Sequence, residues 1–165
     1  MFLCHRGISD YFPENTLGSI QETFKNTKYS GVEIDILLTK DNKWIIYHDK
    51  TLLRLNGIDK KGSNTNYFDI TKILWKGKEF SVNLLSDLIE INFTKKFIIN
   101  IEIKEKYINV NDEAKRTLYN ILLSIRTKKF ISSFDHDWFD WNIKNTNIEF
   151  ACISENEVPN KGNFW

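Results

Sequence analysis

The sequence predicts an α/β protein whose short strands alternate with helices and form a parallel sheet, open or closed. Three observations carry this reading. Apolar, β-branched runs recur along the 165 residues, and most are separated by segments of helical periodicity; that alternation is the pattern of βαβ units. No glycine-rich phosphate loop follows a strand, which argues against the nucleotide-binding folds of this class. No internal repeat of fixed period is visible.

Taken in order, Phe2–Cys4 is a short apolar strand that stops at His5-Arg6-Gly7. Asn15 or Thr16 can cap a helix over Leu17 to Lys28, closed near Ser30-Gly31. Val32–Leu38 alternates and is rich in β-branched residues, so it reads as a strand. Asp41-Asn42 turns the chain into a strand at Trp44–Tyr47, which ends on His48-Asp49. Lys50 to Asn83 is polar and broken by Gly57, Gly62 and Gly77, and reads mostly as loop with short helical pieces. Ser86 can cap a helix running to about Phe93. Phe97–Ile103 is the clearest strand. Asp112 to Thr127 reads as a helix with Ala114, Leu118, Ile121, Leu122 and Ile125 on one stripe. Phe130–Phe134 is a strand, Trp138 to Ile143 a helix and Ile148–Ile153 a strand.

Composition bounds the function. An apolar fraction of 41%, with five Trp and twelve Phe, suffices for one folded domain spanning residues 1–165. Lys and Arg number 23 against 22 Asp and Glu, and no block of like charge stands out. Nucleic-acid or membrane-surface binding therefore has no electrostatic support. The chain reaches His5-Arg6 after three apolar residues, too few for a signal-peptide core or a membrane span. Cys4 and Cys152 sit in apolar strand-like runs and read as reduced thiols, so a cytoplasmic location is expected.

The chemistry gathers on strands. The two-residue period puts Asn100, Glu102 and Lys104 on one face and Ile99, Ile101 and Ile103 on the other. Helices would cover the isoleucines, so the polar face points inward. A buried carboxylate without a partner costs several kcal/mol, so Glu102 needs a cation, either Lys104 or a metal. Glu33 and Asp35 repeat the pattern on one face, opposite Val32, Ile34 and Ile36. Two such like charges repel unless a proton or cation intervenes, and oxygen-only ligands suit Mg²⁺ or Ca²⁺ better than zinc. The structural alternatives are a Glu102–Lys104 pair and a solvated edge strand. His5 and His48 each close a strand, where βα architectures collect catalytic groups, and histidine exchanges protons near neutral pH. His136 reads as a surface residue. Arg6 can hold a phosphate oxygen or pair with Glu14 or Asp49, and Gly7 permits a tight turn.

In order and spacing, His5-Arg6-Gly7, Pro13-Glu14-Asn15-Thr16, Glu33-x-Asp35, His48-Asp49 and Glu102-x-Lys104 resemble the motif series of the glycerophosphodiester phosphodiesterases, and Ser132-Ser133-Phe134-Asp135 resembles that family's fifth strand. The resemblance covers nearly the whole chain. It implies a (β/α)₈ TIM-barrel-like fold and one divalent cation, Mg²⁺ or Ca²⁺, held by Glu33, Asp35 and Glu102. It further implies His5 and His48 as general acid and base, Arg6 and Lys104 on the phosphate, and Asp49 orienting the loop or its histidine. The implied reaction releases glycerol 3-phosphate and an alcohol from a small-molecule glycerophosphodiester.

The chain departs from that pattern in length. Barrels usually run to about 250 residues, whereas about six strands are read here, before Val158-Pro159-Asn160-Lys161-Gly162-Asn163-Phe164-Trp165. An incomplete barrel lacking the last two βα units is therefore expected, with edge strands that need cover and that a homo-oligomer could supply. Two further readings stay open: a non-catalytic or decayed binding remnant, and a phospholipase D-like lipid headgroup enzyme. A lesser departure is Asn83-Leu84-Leu85, where the family usually starts a helix with proline.

Overall fold

A computed structural model describes residues 1–70 and 72–154. Its elements are β1 (Leu3–His5), α1 (Leu17–Lys25), β2 (Gly31–Leu38), β3 (Trp44–Ile46), α2 (Leu53–Asn56), β4 (Lys72–Trp75), β5 (Lys78–Ser81), β6 (Ile98–Ile103), α3 (Asp112–Ser124), β7 (Lys128–Ser133), α4 (Asp137–Asn145) and β8 (Glu149–Cys152). The main sheet has six strands in the order β1-β2-β6-β7-β8, all parallel, with β3 paired to β2.

Its six strands are those expected, with ends moved by one or two residues. The direction of one differs from a uniformly parallel sheet: β3 runs antiparallel, with Ile36 opposite Ile46 and Leu38 opposite Trp44. The cause is the tight turn at Thr39–Lys43. Thr39 Oγ1 donates to Asp41 Oδ1 at 2.7 Å and accepts from Lys43 N at 3.0 Å, while Asn42 adopts a φ of 58°. A turn this short can only reverse the chain, because a parallel return needs a crossover of a dozen or more residues.

The isoleucines face the helices, as the period requires. Val32, Ile34, Ile36, Ile99, Ile101 and Ile103 pack with Ile20 of α1, Leu118 and Leu122 of α3, and Trp138 of α4. Indole donors entering this apolar layer are satisfied, Trp44 Nε1 by Ala114 O and Trp138 Nε1 by Glu105 O, both at 2.9 Å. The opposite face of β2 and β6 is left for polar side chains.

The segment read mostly as loop holds more structure than expected. β4 and β5 form a hairpin, turned by Lys76 and Gly77 with φ of 49° and 74°. Left-handed φ at both central residues is the geometry of a type I′ turn, but Lys-Gly lacks the Asn or Asp that signals it. A second apolar cluster, including Leu37, Ile45, Tyr47, Leu52, Ile70 and Ile73, ties this excursion to the β2–β3 hairpin. The helix expected from Ser86 is a 3₁₀ helix over Leu85–Glu90, capped by Asp87 Oδ2 accepting from Leu84 N. Among the described residues β1 and β8 are the sheet edges. The terminal run Val158 to Trp165, where no strand is expected, lies outside the described residues.

Candidate active site and metal centre

Register builds the site. Glu33 lies beside His5 on one side and Asn100 on the other, and Asp35 lies beside Glu102. Three carboxylates from two neighbouring strands therefore share one patch, and Glu33, Asp35 and Glu102 bring ligand oxygens within 4.8 Å of one another. The expected trio is thus assembled.

His5-Arg6-Gly7 leaves β1 through two left-handed residues, Arg6 with φ 58° and Gly7 with φ 80°. A Cβ on Gly7 would fall 2.7 Å from the Ser19 carbonyl carbon, so this turn requires glycine. Arg6 is held in its costly conformation by its amide, which donates to Glu33 O at 2.9 Å, and its carbonyl, which accepts from Asn15 N at 2.9 Å.

Both expected phosphate-binding cations lie on the carboxylates. Arg6 Nε is 3.2 Å from Asp35 Oδ2, and Arg6 Nη1 is 3.0 Å from Glu14 Oε1. Lys104 Nζ is 2.6 Å from Glu102 Oε1 and 3.2 Å from Asp35 Oδ1. Burial works against the Lys104 ammonium, but Glu102 and Asp35 outweigh it and hold its pKa above the ordinary value. Asp35 is thereby fully served: it is 1% exposed and also accepts from Asn15 Nδ2 at 2.9 Å.

Glu33 is served on one oxygen only, Oε2 accepting from Arg6 N at 3.2 Å. Its Oε1 is buried without a hydrogen-bond partner. Burial first, then the charges of Asp35 and Glu102, push its pKa up from 4.5 to about 8. A buried oxygen without a donor, beside two more carboxylates, fits a hard divalent cation, which takes oxygen ligands from several acids at once. Glu33, Asp35 and Glu102 are the residues that would hold it.

This geometry fixes a pH dependence. The native state keeps a proton on Glu33 that the unfolded chain loses above its ordinary pKa of 4.5, until that proton leaves near pH 8. The Glu33 contribution to stability is therefore fully present below pH 4.5 and is lost as pH rises to about 8. The expected loss for the metal-free protein is on the order of a few kcal/mol. A divalent cation held by the trio would displace the same proton, so its affinity would rise roughly tenfold per pH unit up to that point. Thermal melts at pH 6 and 9, with and without the cation, check both halves. A metal-free stability that climbs between those values would contradict the assignment.

The two histidines are placed differently. His5 is 71% exposed, with Nε2 3.8 Å from Glu33 Oε2. His48 arrives by the antiparallel return of β3, which carries it back along β2 toward Asp35; Tyr47 N donates to Asp35 O at 2.9 Å. Its Nδ1 lies 2.6 Å from Asp49 Oδ1. Burial opposes the Asp49 charge, but Arg54 and His48 overcome this and keep its carboxyl below the usual range. An ionised Asp49 only accepts, so Nδ1 carries the proton and Nε2 is left for exchange. His136 is half-buried rather than on the surface, with Nε2 2.9 Å from Ile153 O, and it is not a member of the acidic cluster.

Sequence reasoning missed Arg54. Its Nε and Nη2 clasp Asp49 at 2.6 and 3.1 Å, and Nη2 reaches Glu14 at 2.6 Å. Arg54 thus takes the Asp49 partnership expected as one option for Arg6, and joins the His48 loop to the Arg6 turn. Arg54→Ala is expected to lower kcat by roughly ten- to a hundredfold, with little change in Tm, because Asp49, which orients His48, loses its own anchor. Arg54→Lys should recover only part, since lysine has no fork. Parent-like kcat in Arg54→Ala would remove Arg54 from this role. Asn15 was legible as a capping candidate and as part of the Pro13-Glu14-Asn15-Thr16 motif, but not as a partner of Asp35. Thr16 is the cap of α1, and Asn15, at φ 55°, pairs with both the amide and the carboxylate of Asp35.

Glu102 and Lys104 line a cleft of about 660 Å³ shared with Lys50, Lys106 and Phe134. Neither Cys4 nor Cys152 is in a disulfide, and no helix among the described residues is long and apolar enough to cross a membrane.

The model of the family described as "Glycerophosphoryl diester phosphodiesterase family" matches residues 5–159. The YqiK protein of Bacillus subtilis is 29% identical over 140 residues, which cover 81% of this chain and 57% of that protein. A protein named glycerophosphodiester phosphodiesterase from Caldanaerobacter subterraneus subsp. tengcongensis is 27% identical over 147 residues, 82% of this chain and 58% of that one. The crystal structure of a glycerophosphodiester phosphodiesterase from Thermotoga maritima superposes with a TM-score of 0.72 at 31% identity, covering 94% of this chain and 62% of that chain. The chain thus spans a little over half the length of these curated relatives.

Proposed function

Because this chain belongs to the glycerophosphoryl diester phosphodiesterase family, we propose that it hydrolyses glycerophosphodiesters to glycerol 3-phosphate and an alcohol with the help of one divalent cation, Mg²⁺ or Ca²⁺. The observation that carries this reading is the convergence of Glu33, Asp35 and Glu102 within 4.8 Å, with one Glu33 oxygen unpartnered. Six strands of a TIM-barrel-like sheet hold all of these groups.

A cation held by the trio would neutralise the phosphate and polarise a P–O bond. The chain's own residues do the rest. His48 gives or takes a proton at Nε2, with Asp49 holding the Nδ1 proton in place. His5, exposed beside Glu33, is the partner acid or base for the opposite oxygen. Arg6 and Lys104, on the rim of the carboxylates, supply donors for phosphate oxygens. Asn15 and the Arg6 amide fix Asp35 and Glu33 without adding charge. Among the described residues β1 and β8 end the strand order of the main sheet, and such edges are a place for a second copy to pair.

Product analysis tests the reaction class. Incubation with glycerophosphocholine and glycerophosphoethanolamine should yield glycerol 3-phosphate and free choline or ethanolamine. Phosphocholine with free glycerol would instead mean cleavage of the other ester bond and would overturn the assignment. No product from a folded, cation-supplied sample would favour a non-catalytic binding protein.

A further inference from the structure

Beside the carboxylates a smaller recess of about 190 Å³ is lined by Lys50, Lys61, Lys104 and Lys106, with Glu105 as its one acid. Lys104 is committed to Glu102 and Asp35. Among the described residues Lys50, Lys61 and Lys106 are in no ion pair. Their backbones are fixed. Thr51 and Lys61 form an antiparallel bridge, and Gly62 N donates to Lys50 O at 3.0 Å, which sets Lys50 and Lys61 side by side. Lys106 opens the 3₁₀ turn Tyr107–Asn109, its carbonyl accepting from Asn109 N at 3.0 Å. Lys50, Lys104 and Lys106 also line the larger cleft that holds Glu102, so the recess and the proposed reaction centre are continuous. The cleft's other acids, Asp135 and Asp137, are on the α4 side and do not line the recess.

Lys50, Lys61 and Lys106 are exposed, and Glu105, whose charge Lys50 favours, is the one acid set against them. Three ammonium groups around one carboxylate leave a net positive recess that attracts an anion. The reacting phosphate does not account for them, because it belongs at the carboxylate trio with Arg6 and Lys104. We propose that Lys50, Lys61 and Lys106 form a subsite for a second phosphate on the substrate. The inference rests on the glycerophosphodiesterase reading. The glycerol 3-phosphate released carries only the reacting phosphate, so the second is on the alcohol. The favoured diesters are those whose leaving alcohol is itself phosphorylated.

A matched pair of substrates tests this: glycerophosphoinositol and its inositol-phosphorylated counterpart. The parent protein should turn over the phosphorylated compound with kcat/KM higher by about tenfold at low ionic strength, since each exposed charge pair contributes only part of that factor. The advantage should shrink in 0.5 M NaCl, where the Debye length is roughly 4 Å against roughly 25 Å at 0.015 M. In the double variant Lys50→Gln/Lys106→Gln it should fall below about threefold, with Lys50→Arg/Lys106→Arg retaining it. Equal kcat/KM for the two compounds in the parent, or an undiminished preference in the glutamine variant, overturns the subsite. If neither compound is hydrolysed, the reaction assignment fails and calorimetry decides the subsite separately. Tighter binding of the phosphorylated compound by the parent than by the glutamine variant supports it, and equal binding overturns it.

Discussion

Glu102→Ala and Glu33→Ala are each expected to abolish cation-dependent turnover, a loss of about a thousandfold or more, in a chain that still folds. The two substitutions differ in what they do to stability. Glu102 neutralises Lys104 at 2.6 Å, so its removal leaves the ammonium with Asp35 alone and lowers Tm modestly. Glu33 is a buried acid whose charged form is disfavoured by burial and by its two carboxylate neighbours. Its removal should raise the metal-free Tm at pH 9, where the charge is otherwise forced into the site. Kinetic assays beside melts separate the effects. Full activity in both variants would mean that the trio is not the metal centre.

The second large effect is at His48. His48→Ala should cut kcat by about a hundredfold or more, the usual scale for losing a positioned acid or base. Asp49→Asn should cost less but in the same parameter, because it frees the Nδ1 proton that the 2.6 Å contact now fixes. The pH profile of the Asp49 variant should shift while KM holds. His136→Ala is the control: its ring meets the Ile153 backbone carbonyl and it is not a member of the acidic cluster, so kcat should match the parent. A loss at His136 equal to that at His48 would reassign the histidine.

Much of this arrangement was legible in the sequence because it rests on two periods. Alternation along Val32–Leu38 and Phe97–Ile103 fixes which residues face the helices, and the buried isoleucines and converging acids of β2 and β6 follow directly. Strand pairing then does what the period alone does not, setting Asp35 level with Glu102. Three features were hidden. The direction of β3 depends on a turn whose sequence, Lys40-Asp41-Asn42, announces a turn without its span. The β4–β5 hairpin is turned by Lys76-Gly77, which has one strong signal where two are usual. Arg54 sits in a polar stretch with no period, and only the folding of α2 against the His48 loop reveals it. Its partner Glu14 lies forty residues away, a distance no local pattern spans.

The central claim is that this set of residues, on six strands, assembles a working cation-dependent diesterase. The most direct measurement is release of glycerol 3-phosphate by the 165-residue chain through one cycle of cation, excess chelator and cation again. The account predicts release that stops with chelator and returns when Mg²⁺ or Ca²⁺ is restored. Release that continues undiminished in chelator, from a protein verified to be free of metal, would contradict it.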